Sequence, residues 1–156
     1  ATDDVVTLTS LINRAYVVEA PFVSGPRVDT NDVSARLERG RFLVADGDDG
    51  PVGAIFVEIA DGVGRIELLA VAPELQGQGI GHRLLGVAES LCRAEGCSET
   101  ELEVVSQRDE LFLHCRRADY IPVGTTAVPT AAATDTDCHF VVMRKQLVEA
   151  ARQLAI

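Results

Sequence analysis

Three glycines alternate at positions 77, 79 and 81, where a strand-like segment gives way to a helix-like one. The residues before them, Arg65 to Val71, are mostly apolar, and the residues after them repeat apolar side chains at helical spacing. Glycine lets a backbone approach a ligand closely, and the first N–H groups of a helix have no intrahelical partner. Because the helix dipole is also positive there, this junction is predicted to bind an anionic group such as a pyrophosphate.

Other phosphate-binding loops fit this segment poorly. A P-loop requires a Gly-Lys-Ser/Thr step, which the sequence lacks. A dinucleotide-binding loop requires a glycine three residues beyond its second one, where this chain has Leu84. The structural alternative is a glycine-rich helix entry with no ligand, although three alternating glycines cost backbone entropy on folding.

Hydrophobic periodicity and turn residues predict a mixed order of helices and strands. We expect helices from Thr2 to Tyr16, from Thr30 to Gly40, from the glycine loop to about Glu95 and from a Ser106–Asp109 capping box through Ala118, followed by a short helical tail. We expect strands at Phe42–Ala45, Val52–Ala60, Arg65–Val71, Glu101–Val105, Ile121–Gly124 and Cys138–Arg144. The first two strands should form a hairpin, and the third, apolar on both faces, should lie in the middle of the sheet. This pattern predicts an α+β fold, with a mostly antiparallel sheet and flanking helices, as one domain over residues 1–156.

The 156-residue chain carries 24 acidic and 14 basic side chains, for a formal net charge of −10. This excess opposes binding to nucleic acid or to an anionic membrane, and it suits either an amine substrate or simple solubility. The four cysteines, at 92, 97, 115 and 138, lack the spacing of a zinc site, so no metal centre is predicted. Because no signal peptide or long apolar run is visible, the cytoplasm is the expected location.

The segment Gln76-x-x-Gly79-x-Gly81, with Val71-x-Pro73 before it and Leu84-Leu85 after it, resembles the acyl-CoA-binding motif of the GNAT superfamily of N-acetyltransferases. Further matches follow in the expected order from Ala1 to about Arg144: Asn13–Tyr16, Gly40–Val44, Pro51–Gly53, Leu102-x-Val104 and the Arg108–Tyr120 helix–strand junction. Members of this superfamily usually place a strand before the first helix, and this sequence starts almost at that helix.

The resemblance implies that acetyl-CoA is the co-substrate and that its acetyl group moves to a primary amine of a small molecule or peptide. It assigns the pyrophosphate to the backbone amides of six residues: Gln76, Gly77, Gln78, Gly79, Ile80 and Gly81. The pantetheine arm would pair like an extra strand with the main chain of Leu69 and Val71. The arm would enter where the parallel strands Glu67–Val71 and Glu101–Val105 diverge.

Two positions bear on catalysis, and each also has a structural interpretation. Many relatives carry a tyrosine that protonates the departing thiolate, five residues before an aromatic residue that follows a glycine. Aligned on Tyr120, this chain has Cys115 at the tyrosine position and Asp119 at the glycine position. A thiol with a reference pKa of about 8.5 would release a proton at least as readily as a phenol with a pKa near 10. Cys115 is therefore a candidate acid or nucleophile, and the alternative is that it is only a buried helix residue.

Glu67 is the candidate base, which would act directly or through water. The alternative is that this carboxylate pairs with an arginine such as Arg65 or Arg108.

The sequence leaves three functions open: an N-acetyltransferase, a GNAT-fold module that binds acyl-CoA with little chemistry, and an interaction domain without a cofactor. The absent tyrosine favours the second, and the intact glycine pattern disfavours the third. The acceptor amine is expected between Tyr16–Arg27 and Thr125–Asp137, where Glu19, Asp29 and Asp135 could attract a cation. Similar proteins are commonly dimers, so a homodimer is also an open expectation.

Overall fold

The computed structural model describes residues 2–19, 25–127 and 138–147. These ranges contain four α-helices: α1 (Thr2–Ala15), α2 (Thr30–Arg39), α3 (Ile80–Ala94) and α4 (Asp109–Arg117). They also contain six strands: β1 (Arg41–Gly47), β2 (Gly50–Ala60), β3 (Val63–Val71), β4 (Glu99–Val105), β5 (Ile121–Ala127) and β6 (His139–Gln146). Short 3₁₀ turns occupy Tyr16–Glu19 and Pro73–Leu75. The expected helical tail and most of the Thr125–Asp137 loop, with Asp135, lie outside the described residues.

The strands form one sheet in the order β1-β2-β3-β4-β6-β5. Only β3 and β4 pair in parallel, and the remaining neighbours are antiparallel. The predicted hairpin of β1 and β2 is confirmed, as is the central place of β3. The turn between β2 and β3 uses Asp61 and Gly62, both with left-handed φ angles, 54° and 74°. The predicted α+β architecture is therefore confirmed.

Helices cover both faces of the sheet, and the described residues form an apolar core on each face. The face that carries α1 and α2 buries Ile12 and Val33 against Phe56 of β2. The opposite face, which carries α3 and α4, buries Leu84 and Cys115 against the strands. Among the described helices, none is long and apolar enough to cross a bilayer.

The capping box predicted at Ser106 is wrong. The helix α4 begins at Asp109, and Arg108 occupies the N-cap position without a side-chain hydrogen bond to the helix. The hydroxyl of Ser106 instead accepts a hydrogen bond from the backbone N–H of His139 on β6 at 3.2 Å and donates one to Gln107 at 2.7 Å. The neighbouring strand therefore competes successfully for the side chain that the local pattern assigns to the helix.

Candidate functional site

The strands β3 and β4 run side by side for only four residues before they separate. Their parallel pairing covers Val63–Ile66 of β3 and Glu99–Leu102 of β4. Beyond that point β3 stays paired with β2 as far as Val71, and β4 stays paired with β6 as far as Val105. The predicted divergence of these two strands is confirmed, and the sheet remains continuous on either side of the gap.

A cavity of about 510 Å³ occupies this gap and reaches both faces of the sheet. On the α3 and α4 face it is lined by the glycine loop and by residues of both helices. On the α1 and α2 face it is lined by Tyr16, Arg27 and Arg36. Its volume lies in the range of small-molecule and cofactor sites.

A bulge in β3 controls which side chains face the cavity. Ala70 pairs with Ala54 and Glu67 with Phe56, so Leu68 and Leu69 together lie opposite a single residue of β2. Leu68 has a left-handed φ of 54°, an uncommon and costly conformation for a leucine. Ala70 packs in the core on the α1 and α2 face. If side chains alternated strictly between the two faces from Ala70 back along β3, the side chain of Glu67 would lie on the α3 and α4 face. The extra residue reverses this, and Glu67 lies on the α1 and α2 face.

The glycine loop has the geometry of an anion-binding helix entry. Gly77 and Gly79 have φ angles of 80° and 85°, and a Cβ added to either would meet no atom within 4 Å. Gly79 is the N-cap of α3 and offers no side chain to the helix, whose first turn has no acidic residue. The N–H of Arg83 makes the first intrahelical bond, to the Gly79 carbonyl at 3.0 Å, so the three preceding amide donors are available to a ligand. Open space and unsatisfied donors fit a pyrophosphate.

The main chain of β3 presents hydrogen-bonding groups to the gap. The N–H of Ala72 donates to the carbonyl of Val52 on β2 at 2.8 Å. Since peptide groups alternate in direction along a regular strand, those of Val71 point away from β2 and toward the cavity. The side-chain amide of Gln76 donates to the Val71 carbonyl at 3.2 Å, which ties the loop to the end of the strand.

Most residues predicted to hold the cofactor lie together on the cavity wall. Seven of the eight line it, namely Leu69, Val71, Gln76, Gly77, Gly79, Ile80 and Gly81. Gln78 is exposed and lies outside the lining. A backbone amide can still bind a ligand from such a position, so its assignment stays a prediction.

Cys115 of α4 lines the same cavity and is only 4% exposed. Burial raises the pKa of its thiol from 9.0 to about 11, and the nearby Arg108 guanidinium opposes that increase only in part. The thiol is therefore protonated at neutral pH. This value removes the advantage over a phenol that the sequence suggested for Cys115 as an acid. The substitution at the glycine position is tolerated, since Asp119 adopts the left-handed conformation with φ 71°.

Glu67 of β3 also lines the cavity, and its partner differs from those expected. Its Oε2 accepts a hydrogen bond from Nε of Arg36 at 3.0 Å, instead of pairing with Arg65 or Arg108. The helix α2 packs across the face onto which the bulge turns Glu67, and it carries Arg36 to the carboxylate. Contact between residues 31 positions apart is a tertiary event that the local sequence does not show.

Two histidines on the cavity wall were not among the predicted site residues. His82 follows the last glycine of the loop in the first turn of α3, and His114 precedes Cys115 on α4. Their rings meet edge to face, with centroids 6.2 Å apart. The position of His82 directly after the glycine motif was a usable signal. For His114, only the packing of α4 beside α3 reveals that the ring faces the cavity.

The sequence model of the acetyltransferase (GNAT) family matches residues 6–112, which include the glycine loop and both strands that border the gap. The chain belongs to the GNAT family of acetyltransferases. Among curated protein sequences, no relative matches it.

Solved GNAT structures share the fold over nearly the whole chain. The ribosomal-protein-S18-alanine N-acetyltransferase from Escherichia coli superposes with a TM-score of 0.78 at 15% identity, covering 100% of this chain and 96% of that one. Ard1 from Thermoplasma volcanium gives a TM-score of 0.78 at 17% identity, covering 96% and 95%. Nourseothricin acetyltransferase is 26% identical over 70% of this chain and 66% of its own, with a TM-score of 0.64. The first two likenesses, at such low identity, show the fold alone.

A metal site requires several side chains that could bind the ion together. Within residues 2–19, 25–127 and 138–147, no three His, Cys, Asp or Glu side chains come together in a way that could hold a metal ion.

Proposed function

We propose that this GNAT protein is an N-acetyltransferase that moves an acetyl group from acetyl-CoA to a primary amine by direct transfer. The observation that carries the proposal is the gap between β3 and β4, which ends at the open glycine loop of α3. One cavity thereby joins an anion-binding helix entry to a carboxylate on the opposite face of the sheet. Acetyl-CoA supplies the activated thioester.

The binding groups on the cavity wall are mainly backbone groups. The amides from Gln76 to Gly81 would hold the pyrophosphate, with the positive end of the α3 dipole behind them. The peptide groups of Leu69 and Val71 would hydrogen-bond the pantetheine arm as a neighbouring strand does. A backbone amide near Val71 would polarise the thioester carbonyl, and fixed donors of this kind favour the transition state.

Two side chains would accept and donate protons during the transfer. Glu67 would accept the proton of the acceptor ammonium, directly or through water, because an amine attacks only when it is deprotonated. Cys115 would hold a proton beside the leaving thiolate. Its protonated, buried thiol supports this role over a covalent relay, since nucleophilic cysteines react as thiolates. Direct transfer then requires both substrates in the cavity together.

A second candidate function is acyl-CoA binding without appreciable turnover. The presence of Cys115 where the resemblance expects a tyrosine is the observation that favours it. Burial of the thiol strengthens this alternative, because the raised pKa makes it a weaker acid.

Thermal unfolding with and without acetyl-CoA tests the cofactor site. At about a hundred times Kd, the ligand should stabilise the fold by roughly 2.7 kcal/mol, which raises Tm by several degrees. In Gly79→Glu the side chain enters the open space of the loop with a repelling charge, and the shift should vanish. Gly86→Glu is the matched control, because Gly86 is exposed on the same helix with nothing within 4 Å of an added Cβ.

The release of free CoA thiol in the presence of an amine panel separates the two candidate functions. Binding together with amine-dependent thiol release supports the transferase. Binding without release from any amine supports the acyl-CoA-binding module. No shift of Tm at millimolar acetyl-CoA would eliminate both.

A further inference from the structure

The cavity has two chemically distinct halves. The half on the α3 and α4 face contains the glycine loop, and its donors are explained by the phosphates of the cofactor. The half on the α1 and α2 face contains Tyr16, Arg27, Arg36 and Glu67. These side chains lie across the sheet from the glycine loop, so the pyrophosphate does not account for the two arginines.

Charged side chains of both signs line that second half. Glu103 of β4 also lines the cavity. Its neighbours Leu102 and Val104 pack into the α3 and α4 core, so the Glu103 side chain projects to the opposite face. Two arginines therefore share this half with two glutamates. Although the whole chain is strongly acidic, this half of the cavity has equal numbers of these acidic and basic side chains. A polycationic acceptor would be repelled by the two guanidinium groups there.

Arg27 is held against aromatic side chains. Its guanidinium carbon lies 5.0 Å from the ring centroid of Tyr16 and 5.5 Å from that of Phe140. These contacts with two ring faces hold the positive charge of the guanidinium at this end of the cavity. The side chain is half-buried, so its charge is less screened than a charge in open water.

Arg36 and Glu67 form an ion pair inside the same half. The Nε atom of Arg36 lies 3.0 Å from Oε2 of Glu67, and the side chains are 21% and 37% exposed. A guanidinium has further N–H donors beyond Nε, and a carboxylate has a second oxygen. A ligand that carries one positive and one negative group close together can therefore bind both partners at once.

We propose that the amine acceptor is a small free α-amino acid, bound with its amine at Glu67 and its carboxylate at Arg36, with Arg27 as a second cation. This inference rests on the proposed function and names its substrate class. The short distance between the Arg36 guanidinium and the Glu67 carboxylate limits the distance between the two charged groups of the acceptor. Because Arg36 and Glu67 touch, the charges of the acceptor must also be close, and a single carbon joins the amine and carboxylate of an α-amino acid.

The first experiment compares matched acceptors with the full chain. Free CoA thiol is measured with free L-amino acids, with their α-carboxamides, with spermidine and with kanamycin. Each carboxamide keeps the side chain and the α-amino group of its amino acid and replaces the carboxylate by a neutral amide. A charged hydrogen bond to Arg36 should raise kcat/KM for the amino acid roughly tenfold to a hundredfold over its carboxamide.

The second experiment uses Arg36→Gln with Arg39→Gln as its control. Arg39 lies one turn further along α2 and pairs with Glu58 at 2.6 Å outside the cavity lining. In Arg36→Gln the KM for the amino acid should rise and its preference over the carboxamide should fall at least several-fold, while the KM for acetyl-CoA stays unchanged. Arg39→Gln should retain the full preference.

The possible outcomes separate this inference from the function on which it rests. Equal or better turnover of carboxamides, spermidine or kanamycin would overturn the amino-acid assignment and leave the transferase intact. Acetyl-CoA binding without acetylation of any amino acid would also overturn it. Failure to bind acetyl-CoA at all would remove the proposed function itself.

Discussion

The Nζ of Lys145 on β6 lies 2.9 Å from a carboxylate oxygen of Glu89 on α3, and the two side chains are 18% and 7% exposed. The same ammonium hydrogen-bonds the other oxygen at 3.2 Å. Lys145→Met would leave the Glu89 charge buried and unpaired. We expect it to lower the free energy of unfolding by about 3–5 kcal/mol, measured by urea denaturation.

Arg144, the neighbour of Lys145 in β6, provides the control for that variant. It pairs with Glu101 at 2.7 Å and Glu99 at 3.0 Å but is 42% exposed. Because exposed ion pairs contribute little, Arg144→Met should cost about 1 kcal/mol or less. Equal losses in the two variants would mean that burial does not govern the Glu89 pair.

Stability should fall at alkaline pH because Cys115 is buried as a neutral thiol. Its pKa is about 11 in the folded chain against 9.0 when unperturbed, so between these values only the unfolded state loses the proton. The stabilisation is complete below pH 9 and disappears as the pH rises toward 11, a loss of roughly 2 to 3 kcal/mol. Urea midpoints from pH 8 to 10 should decline less steeply in Cys115→Ala than in the original chain. Parallel declines would show that Cys115 is not the responsible group.

The proposed acid role of Cys115 predicts a specific kinetic change. Cys115→Ala should lower kcat about a hundredfold or more, with a smaller change in KM, because a positioned acid acts in the transition state. The control is Cys92→Ala, which removes a fully buried thiol that lies outside the cavity lining. Undiminished turnover in Cys115→Ala would exclude this residue both as acid and as nucleophile.

Substitutions at Asp119 test whether the chain must adopt a left-handed backbone conformation after the end of α4. It is exposed and has a φ of 71°, so its side chain is not needed for packing, but its conformation is unfavourable for most residues. Asp119→Gly should be more stable than Asp119→Ala by about 1 kcal/mol. Thermal unfolding of the two variants measures this difference, and the reverse order would contradict the assigned conformation.

Thr100 and Tyr120 share a fully buried hydrogen bond of 2.9 Å between their hydroxyl groups. Either Thr100→Val or Tyr120→Phe leaves one hydroxyl without its partner, at a cost of roughly 1–3 kcal/mol. The double variant removes both groups, so its loss should be smaller than the sum of the single losses. Denaturant unfolding of the three variants measures the coupling, and strict additivity would disprove it.

Local sequence patterns determined the elements whose cause is local. The apolar repeat after Gly81 predicted α3, and turn residues separated the strand predicted at Val52–Ala60 from the strand predicted at Arg65–Val71. The start of α2 is also local: Asp29 and Asp32 exchange side-chain and backbone hydrogen bonds of 2.8 and 2.9 Å in a capping box. Hydrogen bonds between residues only three positions apart can be predicted from the local sequence.

Features that depend on strand register or helix packing required the tertiary structure. Ser106 matches a capping pattern, yet its hydroxyl is bound by His139 of another strand. The bulge at Leu68 turns Glu67 to the opposite face, and α2 then supplies Arg36 as its partner. Nothing in the residues beside Glu67 encodes either event.

The sequence by itself therefore determined the glycine loop, the order of helices and strands and the GNAT resemblance, because glycine conformation and apolar periodicity act over a few residues. Only the tertiary structure decided the contents of the cavity: the protonated thiol of Cys115, the orientation of Glu67 and the two arginines on the α1 and α2 face. These properties arise from burial and from contacts between distant segments, which exist only once the sheet and its helices have packed.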